Sequence, residues 1–365
     1  MHKTVTPCIL DSWLAAGSGA SAADLAEFVR RKQHALLLAQ LAYACSRSRF
    51  YRERLAGFSI ENVSLAGLSA LPFTTAQDIK DWKSFLCVSQ DSVERLVTIE
   101  SSGTSGPPKR LAFSRADLEA TKDFFRTGMS QLVRKGDRAL SLWPGAARPH
   151  GVSALLREAL AEAGVTVFAG EPLTDVVSLK RELKTCDPHI IIAAPRQLAP
   201  LVLLFSGKQD LAAEQLALRG ILSSAERLPP ELAGVLQTRY GLLVLDHYGL
   251  TETGYGGGVE CPAHDGYHLR ELDLFVEIVD IASGFPLAEG WEGEIVVTTL
   301  AREAMPLIRY KTGDVASLLP GPCRCGSPLR RLSAIKGRIV RNGASYSVEH
   351  IAKGSFCERI AHASL

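Results

Sequence analysis

The stretch "SSGTSGPPKR", residues 101–110, is poor helix and poor strand, and its reading decides that of the whole chain. Gly103 and Gly106 permit the positive φ that a tight loop needs. Ser101, Ser102, Thr104 and Ser105 add hydroxyl groups, and Lys109 adds a mobile positive charge. Successive backbone N–H groups in such a loop form a nest for anionic oxygens. The preceding "RLVTIE", residues 95–100, is apolar and β-branched, which predicts a strand leading into the loop. The spacing is not the G-x-x-x-x-G-K-[ST] of the common phosphate loop. A polar surface turn shares this composition, so the loop by itself leaves phosphate binding and a plain turn equally open.

Outward from the loop, the chain alternates. Residues 21–57 carry apolar positions at helical spacing, and 114–134 read as an amphipathic helix opened by Ser114 and Asp117. From residue 138, "RALSLW", "VTVFAG", "HIIIAA" (189–194), "RGILSSAE" and "GLLVLDHYG" read as strands. Between them lie helical segments such as "GVSALLREALAEAG", closed by Gly164. That alternation predicts an α/β fold, a parallel or mixed sheet covered by helices. After residue 268 the texture turns strand-rich, with "LFVEIVD", "GEIVVTTL" and "PLIRYKTGD". Residues 343–365 have weak periodicity and read as a frayed helix.

The 365 residues suit one large or two modest domains, and 46% hydrophobic against 22% charged residues is the balance of a chain with a real core. A net charge of +2 without a basic block argues against nucleic acid. The absence of an 18-residue apolar run argues against a membrane span. Eight cysteines are too few for a disulfide scaffold, so the expected location is cytoplasmic, with reduced thiols. Cys8, Cys45, Cys87, Cys186 and Cys357 read as small buried hydrophobes.

Two further loops carry acids at strand ends. "HYGLTETG" (247–254) offers Glu252, a carboxylate able to hold magnesium. "RYKTGD" (309–314) offers Asp314, able to accept both hydroxyls of a ribose, though either acid taken alone fits an ordinary surface turn at least as well. In order, "SSGTSGPPK", "YGLTE" and "YKTGD" resemble the core motifs of the adenylate-forming, or AMP-binding, superfamily. "SRFYRERLAG", "LSALPFTT" and "EAMPLIRYKTGD" are similar to its phenylacetate-CoA ligase branch. The resemblance spans roughly residues 40–340. It implies a large N-terminal domain of mixed sheets sandwiched by helices, residues 1–335, with a small β-rich part about 268–335. A hinge and remnant of a C-terminal domain would follow at 336–365.

The resemblance also implies roles. The 101–109 loop would grip the β- and γ-phosphates of ATP, Thr251 the α-phosphate, Glu252 magnesium and Asp314 the ribose. Ser224, Ala225 and Glu226, with His247 and Gly249, would line the adenine pocket. Tyr248 would stack on the ring, Asp246 would lie near its amino group, and Arg338 would approach ribose and phosphate. Thr251, Glu252 and Lys109 would be the catalytic set. The implied reaction is ATP- and Mg2+-dependent activation of a carboxylic acid, aromatic by family analogy, as an acyl-adenylate. CoA, a carrier-protein thiol or an amine would be the acceptor, and a homodimer is left open. Trp143, Pro144, Tyr255 and the glycines 256–258 would shape the acid's pocket, the glycines leaving room.

Three cysteines stand apart. Cys261 in "ECPAHDGYHL", with Cys323 and Cys325 in "GPCRCGSP", suits a tetrahedral Cys₃His zinc site of structural kind. The fourth ligand is His264 or His268, the latter matching a family histidine, and unligated thiols remain the alternative. The chain also departs from the family pattern. "GRIVRNGASYSVEH" (337–350) lacks the acidic pair after its arginine, Ala76 replaces a family lysine, and nothing around Lys353 matches the C-terminal catalytic lysine. These departures keep a second reading open, a nucleotide-binding partner or regulatory subunit without full ligase turnover.

Overall fold

Residues 8–15, 24–99, 108–173, 175–206, 216–342 and 345–350 are described by the structure, a computed structural model. The expected loop residues Ser101, Ser102, Gly103, Thr104, Ser105 and Gly106 lie outside them, as do Cys357 and Lys353.

The central sheet follows from buried apolar runs. Ile190–Ala193 is buried at every position, as a strand covered on both faces must be. It pairs in parallel with Arg138–Leu142 on one side and Gly220–Ser223 on the other. Thr166–Gly170 and Leu243–Tyr248 extend the parallel set. Beyond Leu243–Tyr248 the direction reverses. Gly258–Glu260, Tyr267–Leu269 and Arg331–Leu332 add antiparallel strands, giving eight among the described residues. Alternation along each strand feeds two cores. Leu140, Ile191, Ile221 and Val244 pack with Leu183, Leu201 and Leu236 of three helices. Ala139, Ile192, Leu222 and Leu245 share the other core with Phe124, Leu155 and Leu160.

A second, fully antiparallel sheet of five strands runs in the order Leu274–Val279, Gly293–Thr299, Tyr310–Ala316, Gly337–Asn342 and Ser345–His350. Arg95–Ile99 pairs antiparallel with Lys109–Phe113, on either side of residues 100–107 in the sequence. The expected α/β fold of mixed sheets covered by helices is the observed one.

Three expectations are corrected. The helix read over 21–57 is two helices, Leu25–Arg47 and Arg49–Arg54. Ser48 turns extended between them, and its hydroxyl accepts from the Tyr51 N–H. The "PLIRYKTGD" strand begins only at Tyr310, because Arg309 adopts a left-handed φ of 49°. The tail read as a frayed helix is a strand over Ser345–His350, paired with Gly337–Asn342; its remainder lies outside the described residues.

The helix Arg115–Met129 ties the layers together. Ser114 and Asp117 close a capping box at its start. The same Asp117 carboxylate accepts from the backbone N–H groups of Glu303 and Ala304, just before the Tyr310 strand. Residues 67–75 are fixed to that strand by Thr74, whose hydroxyl donates to the Ile308 carbonyl at 2.7 Å.

Candidate active site

The site forms where the parallel strands end and the sheet reverses direction, the usual place for a ligand in an open α/β sheet. After Tyr248 the chain turns through a short 3₁₀ segment, Thr251–Thr253, that carries Thr251 and Glu252. Glu252 is only 6% exposed. Its Oε1 accepts from Lys109 Nζ at 2.7 Å and from Tyr310 OH at 2.9 Å. Lys109 starts the strand that leaves the 101–107 loop, and Tyr310 starts the strand that carries Asp314. One carboxylate oxygen therefore joins all three sequence motifs. Tyr310 itself was not singled out in the sequence; the signal was its place in "RYKTGD", but no spacing reveals that its hydroxyl reaches Glu252.

Asp314 is 6% exposed; its Oδ2 accepts from Tyr248 OH at 3.2 Å, and Arg338 Nη1 stands 3.6 Å from its Oδ1. The pairing of Asp314 with Arg338 across adjacent strands sets that contact. Burial raises the Asp314 carboxyl above its usual range, with the Arg338 guanidinium opposing the shift. Burial, then Asp314, likewise pushes the Tyr248 phenol well above 10, so it stays a donor.

Beside these groups opens a cavity of about 410 Å³. Seven of the residues expected to hold nucleotide line it: Ala225, Glu226, His247, Tyr248, Gly249, Asp314 and Arg338. Ala225 sits in the left-handed region at φ 71°, a strained conformation for a residue with a side chain, and Glu226 is paired with Arg196. Arg227, Leu250, Tyr267, Ile335 and Gly337 also line it and were not foreseen.

Thr251, Glu252 and Lys109 do not line that cavity, and neither do Asp246 and Ser224. Asp246 is buried, and its Oδ2 accepts from Tyr267 OH at 2.7 Å. Tyr267 reaches the cavity, so Asp246 acts through it, as a positioning group. Burial raises Asp246 to about 7. Ser224 turns the other way, its Oγ 2.8 Å from His247 Nδ1. It lines a second, apolar cavity of about 50 Å³ together with Phe124, Trp143, Ile192, Tyr255 and His247. His247 is shared by both cavities. The glycines 256–258 do not leave the room expected of them. A methyl at Gly256 would overlap the Phe124 ring, and Gly257 lies against Tyr248. Pro144 is not among the lining residues.

A third cavity, about 830 Å³, opens beyond Lys109 and Tyr310. Arg54, Lys311, Arg338 and Arg341 make its walls basic.

The cysteine cluster is built at the antiparallel edge of the large sheet. His268 lies mid-strand opposite Val259, and Cys261 follows the strand Gly258–Glu260. Ligand atoms of Cys261, His268, Cys323 and Cys325 lie within 4.8 Å of one another, all four residues buried. Cys261 Sγ is 3.8 Å from Cys323 Sγ, and Cys325 Sγ is 3.6 Å from His268 Nε2. A tetrahedral zinc with bonds of about 2.3 Å to sulfur and about 2.05 Å to nitrogen needs separations of about 3.8 and 3.6 Å. The donor set therefore fits zinc in both kind and spacing. Burial, then Arg331, lowers His268 to about 4, leaving the neutral ring a ligand needs. His264 is excluded from this group: its Nδ1 faces Glu260 Oε2 at 3.3 Å and its Nε2 faces Gln237 at 3.1 Å.

The fold and the three joined motifs define an AMP-binding protein, and the family model for AMP-binding enzymes matches residues 67–301. The chain belongs to that family. Its curated relatives include the phenylacetate-coenzyme A ligase of Pseudomonas putida, 31% identical over 84% of this chain and 70% of the relative. The enzyme of the same name from Thermus thermophilus is 30% identical over 86% of this chain and 71% of the relative. Among solved structures, an open conformation of 2-hydroxyisobutyryl-CoA ligase in complex with 2-HIB-AMP and CoA superposes with a TM-score of 0.73. It shares 20% identity and covers 86% of this chain and 76% of its own, a likeness of fold.

Proposed function

We propose that the protein activates a carboxylic acid with ATP and Mg2+, forming an acyl-adenylate that a thiol such as CoA, or an amine, then captures. The observation that carries this is the 410 Å³ cavity in which Tyr248, Asp314 and Arg338 meet, beside Glu252 and Lys109. Adenine packs on Tyr248, the ribose hydroxyls donate to the Asp314 carboxylate, and Arg338 neutralises phosphate charge. A carboxylate oxygen of the acid attacks the α-phosphorus, the bond to the bridging oxygen breaks, and pyrophosphate leaves. The chain's own part is positioning and charge: Lys109 offsets the charge growing on the leaving group, and the basic 830 Å³ cavity lies on its way out. Glu252 would hold magnesium, which would supply further charge neutralisation. The alternative, a subunit without turnover, rests on the sequence departures at Ala76, in 337–350 and around Lys353, while the placement of both acids and Lys109 supports activity.

We also infer a structural zinc at Cys261, His268, Cys323 and Cys325, with no position left open for catalysis. A cytoplasmic location fits the seven described cysteines, none of which is in a disulfide. Among the described residues no helix is long and apolar enough to cross a membrane. The adenylating unit is read as residues 1–335, with 336–365 a hinge and remnant of a C-terminal domain, whose Arg338 lines both large cavities.

Acid-dependent ATP–pyrophosphate exchange over a panel of aromatic and aliphatic acids tests the activity. Exchange that requires both Mg2+ and an acid is the expected result. Tight ATP binding with no acid supporting exchange would end the catalytic reading.

A further inference from the structure

The small apolar cavity carries a polar signature that its hydrocarbon walls do not explain. Phe124 and Ile192 supply walls, as an apolar acid would require. Yet two of its residues hold buried polar atoms without a hydrogen-bond partner, Trp143 Nε1 and His247 Nε2, and the buried Tyr255 OH has only the Arg95 guanidinium to turn to. A buried donor or acceptor left unpaired is costly, and native structures keep few of them. Grouped around one cavity, these polar atoms point to a ligand that completes them.

The chemistry of each atom narrows that ligand. Trp143 Nε1–H can only donate, so it calls for an acceptor. Burial, then Arg270, lowers His247 to about 4, so its ring is neutral and carries one N–H. The Ser224 hydroxyl satisfies Nδ1 in either tautomer. Nε2 is then a donor in one tautomer and an acceptor in the other. The Tyr255 hydroxyl can serve either way, and the Arg95 guanidinium lies over its ring at 5.6 Å. A hydroxyl group both donates and accepts, and so suits all three, whichever tautomer His247 adopts.

We propose that this cavity selects a carboxylic acid whose apolar body bears a hydroxyl group, seated against Trp143, Tyr255 and His247. The inference rests on the adenylating reading above, since it names the substrate class of that same site. His247, which lines both cavities, places this selection next to the nucleotide. A pocket built to hydrogen-bond a hydroxyl rejects the analogue without it far more strongly than an apolar pocket rejects a missing methylene.

Exchange kinetics on matched acids test it. Benzoate, phenylacetate and cinnamate are each compared with their ring-hydroxylated isomers, using kcat/KM for acid-dependent exchange. At least one hydroxylated isomer should exceed its parent by about 10-fold or more. Trp143→Phe, which keeps a smaller aromatic ring and loses the donor, should cut that ratio at least about threefold. Tyr255→Phe, which removes only one oxygen, provides the same ratio should the tryptophan variant fold poorly. Good exchange with the parent acids and no isomer reaching 10-fold overturns the inference and leaves the adenylating reading intact. Absence of exchange with every acid would instead remove the reading on which it stands.

Discussion

Glu252 gathers two donors on one oxygen, and this contact explains more of the site than any other single residue. Replacing it by Gln keeps shape but removes the charge that holds Lys109, and with it the expected magnesium ligand. Exchange activity should fall at least about 100-fold in E252Q. Lys109→Met should fall comparably, and the double variant should lose little more, because the two act as a unit; fully additive losses in the four-way comparison would contradict the pairing. Asp246 offers a second test, through pH. Its folded carboxyl sits near 7, against an ordinary value of 3.8, chiefly through burial, with the Tyr267 hydrogen bond opposing and Glu260 adding to the shift. Between these values the folded state keeps a proton that the unfolded chain has released. The stability it contributes is therefore complete below about pH 4 and lost as pH rises through about 7. Asn mimics the protonated form, so D246N should gain on the parent by roughly 2–4 kcal/mol between pH 4 and 8. Urea unfolding at both pH values checks this, and an unchanged gap would refute it.

Between the residue and the molecule stand two fastenings that hold elements in place. Arg309, 2% exposed, meets Glu277 of the strand Leu274–Val279, two strands away in the sheet, through Nε and Nη2, both at 3.1 Å. It also donates to the carbonyls of Ser69 and Leu71 and stacks on Phe73 at 4.1 Å. The segment 67–75 is thereby bolted to the strand that presents Tyr310 and Asp314. Glu277→Ala would strand a buried guanidinium, at a cost of roughly 3–5 kcal/mol in denaturant unfolding; a loss under about 1 kcal/mol would show the pair to be idle. The second fastening is the cysteine cluster. Its Cys323–Cys325 loop also receives the N-terminal helix Ile9–Ala15, through Ser327 Oγ donating to Asp11 Oδ1 at 2.5 Å. The purified protein should carry about one zinc per chain by elemental mass spectrometry. Stripping it should lower Tm by at least about 5 °C, with recovery on adding Zn2+ and none with Mg2+. A zinc-free protein with an unchanged Tm would leave the cluster as packed thiols.

At the scale of the whole molecule, what the sequence made legible was whatever lies contiguous in the chain. The strands from 138 to 248 were readable because burial on both faces leaves unbroken apolar runs, as in "HIIIAA". Most nucleotide-cavity residues were readable because they sit in short motifs at strand ends. Relations between distant segments were not. The Tyr310 hydroxyl reaching Glu252 and Tyr267 standing between Asp246 and the cavity depend on strand pairing and register. The glycines 256–258 misled, because a missing side chain signals open space and close packing alike; here the Phe124 and Tyr248 rings fill the gap. The family match leaned to His268 over His264, and the strand register that aims His268 at Cys325 supports that choice. The central claim is that three distant segments build one nucleotide site. A crystal structure of the protein with AMP tests it most directly. The account predicts AMP in the 410 Å³ cavity, both ribose hydroxyls within hydrogen-bond reach of the Asp314 carboxylate and adenine against Tyr248. AMP bound elsewhere, or with its ribose turned away from Asp314, would contradict it.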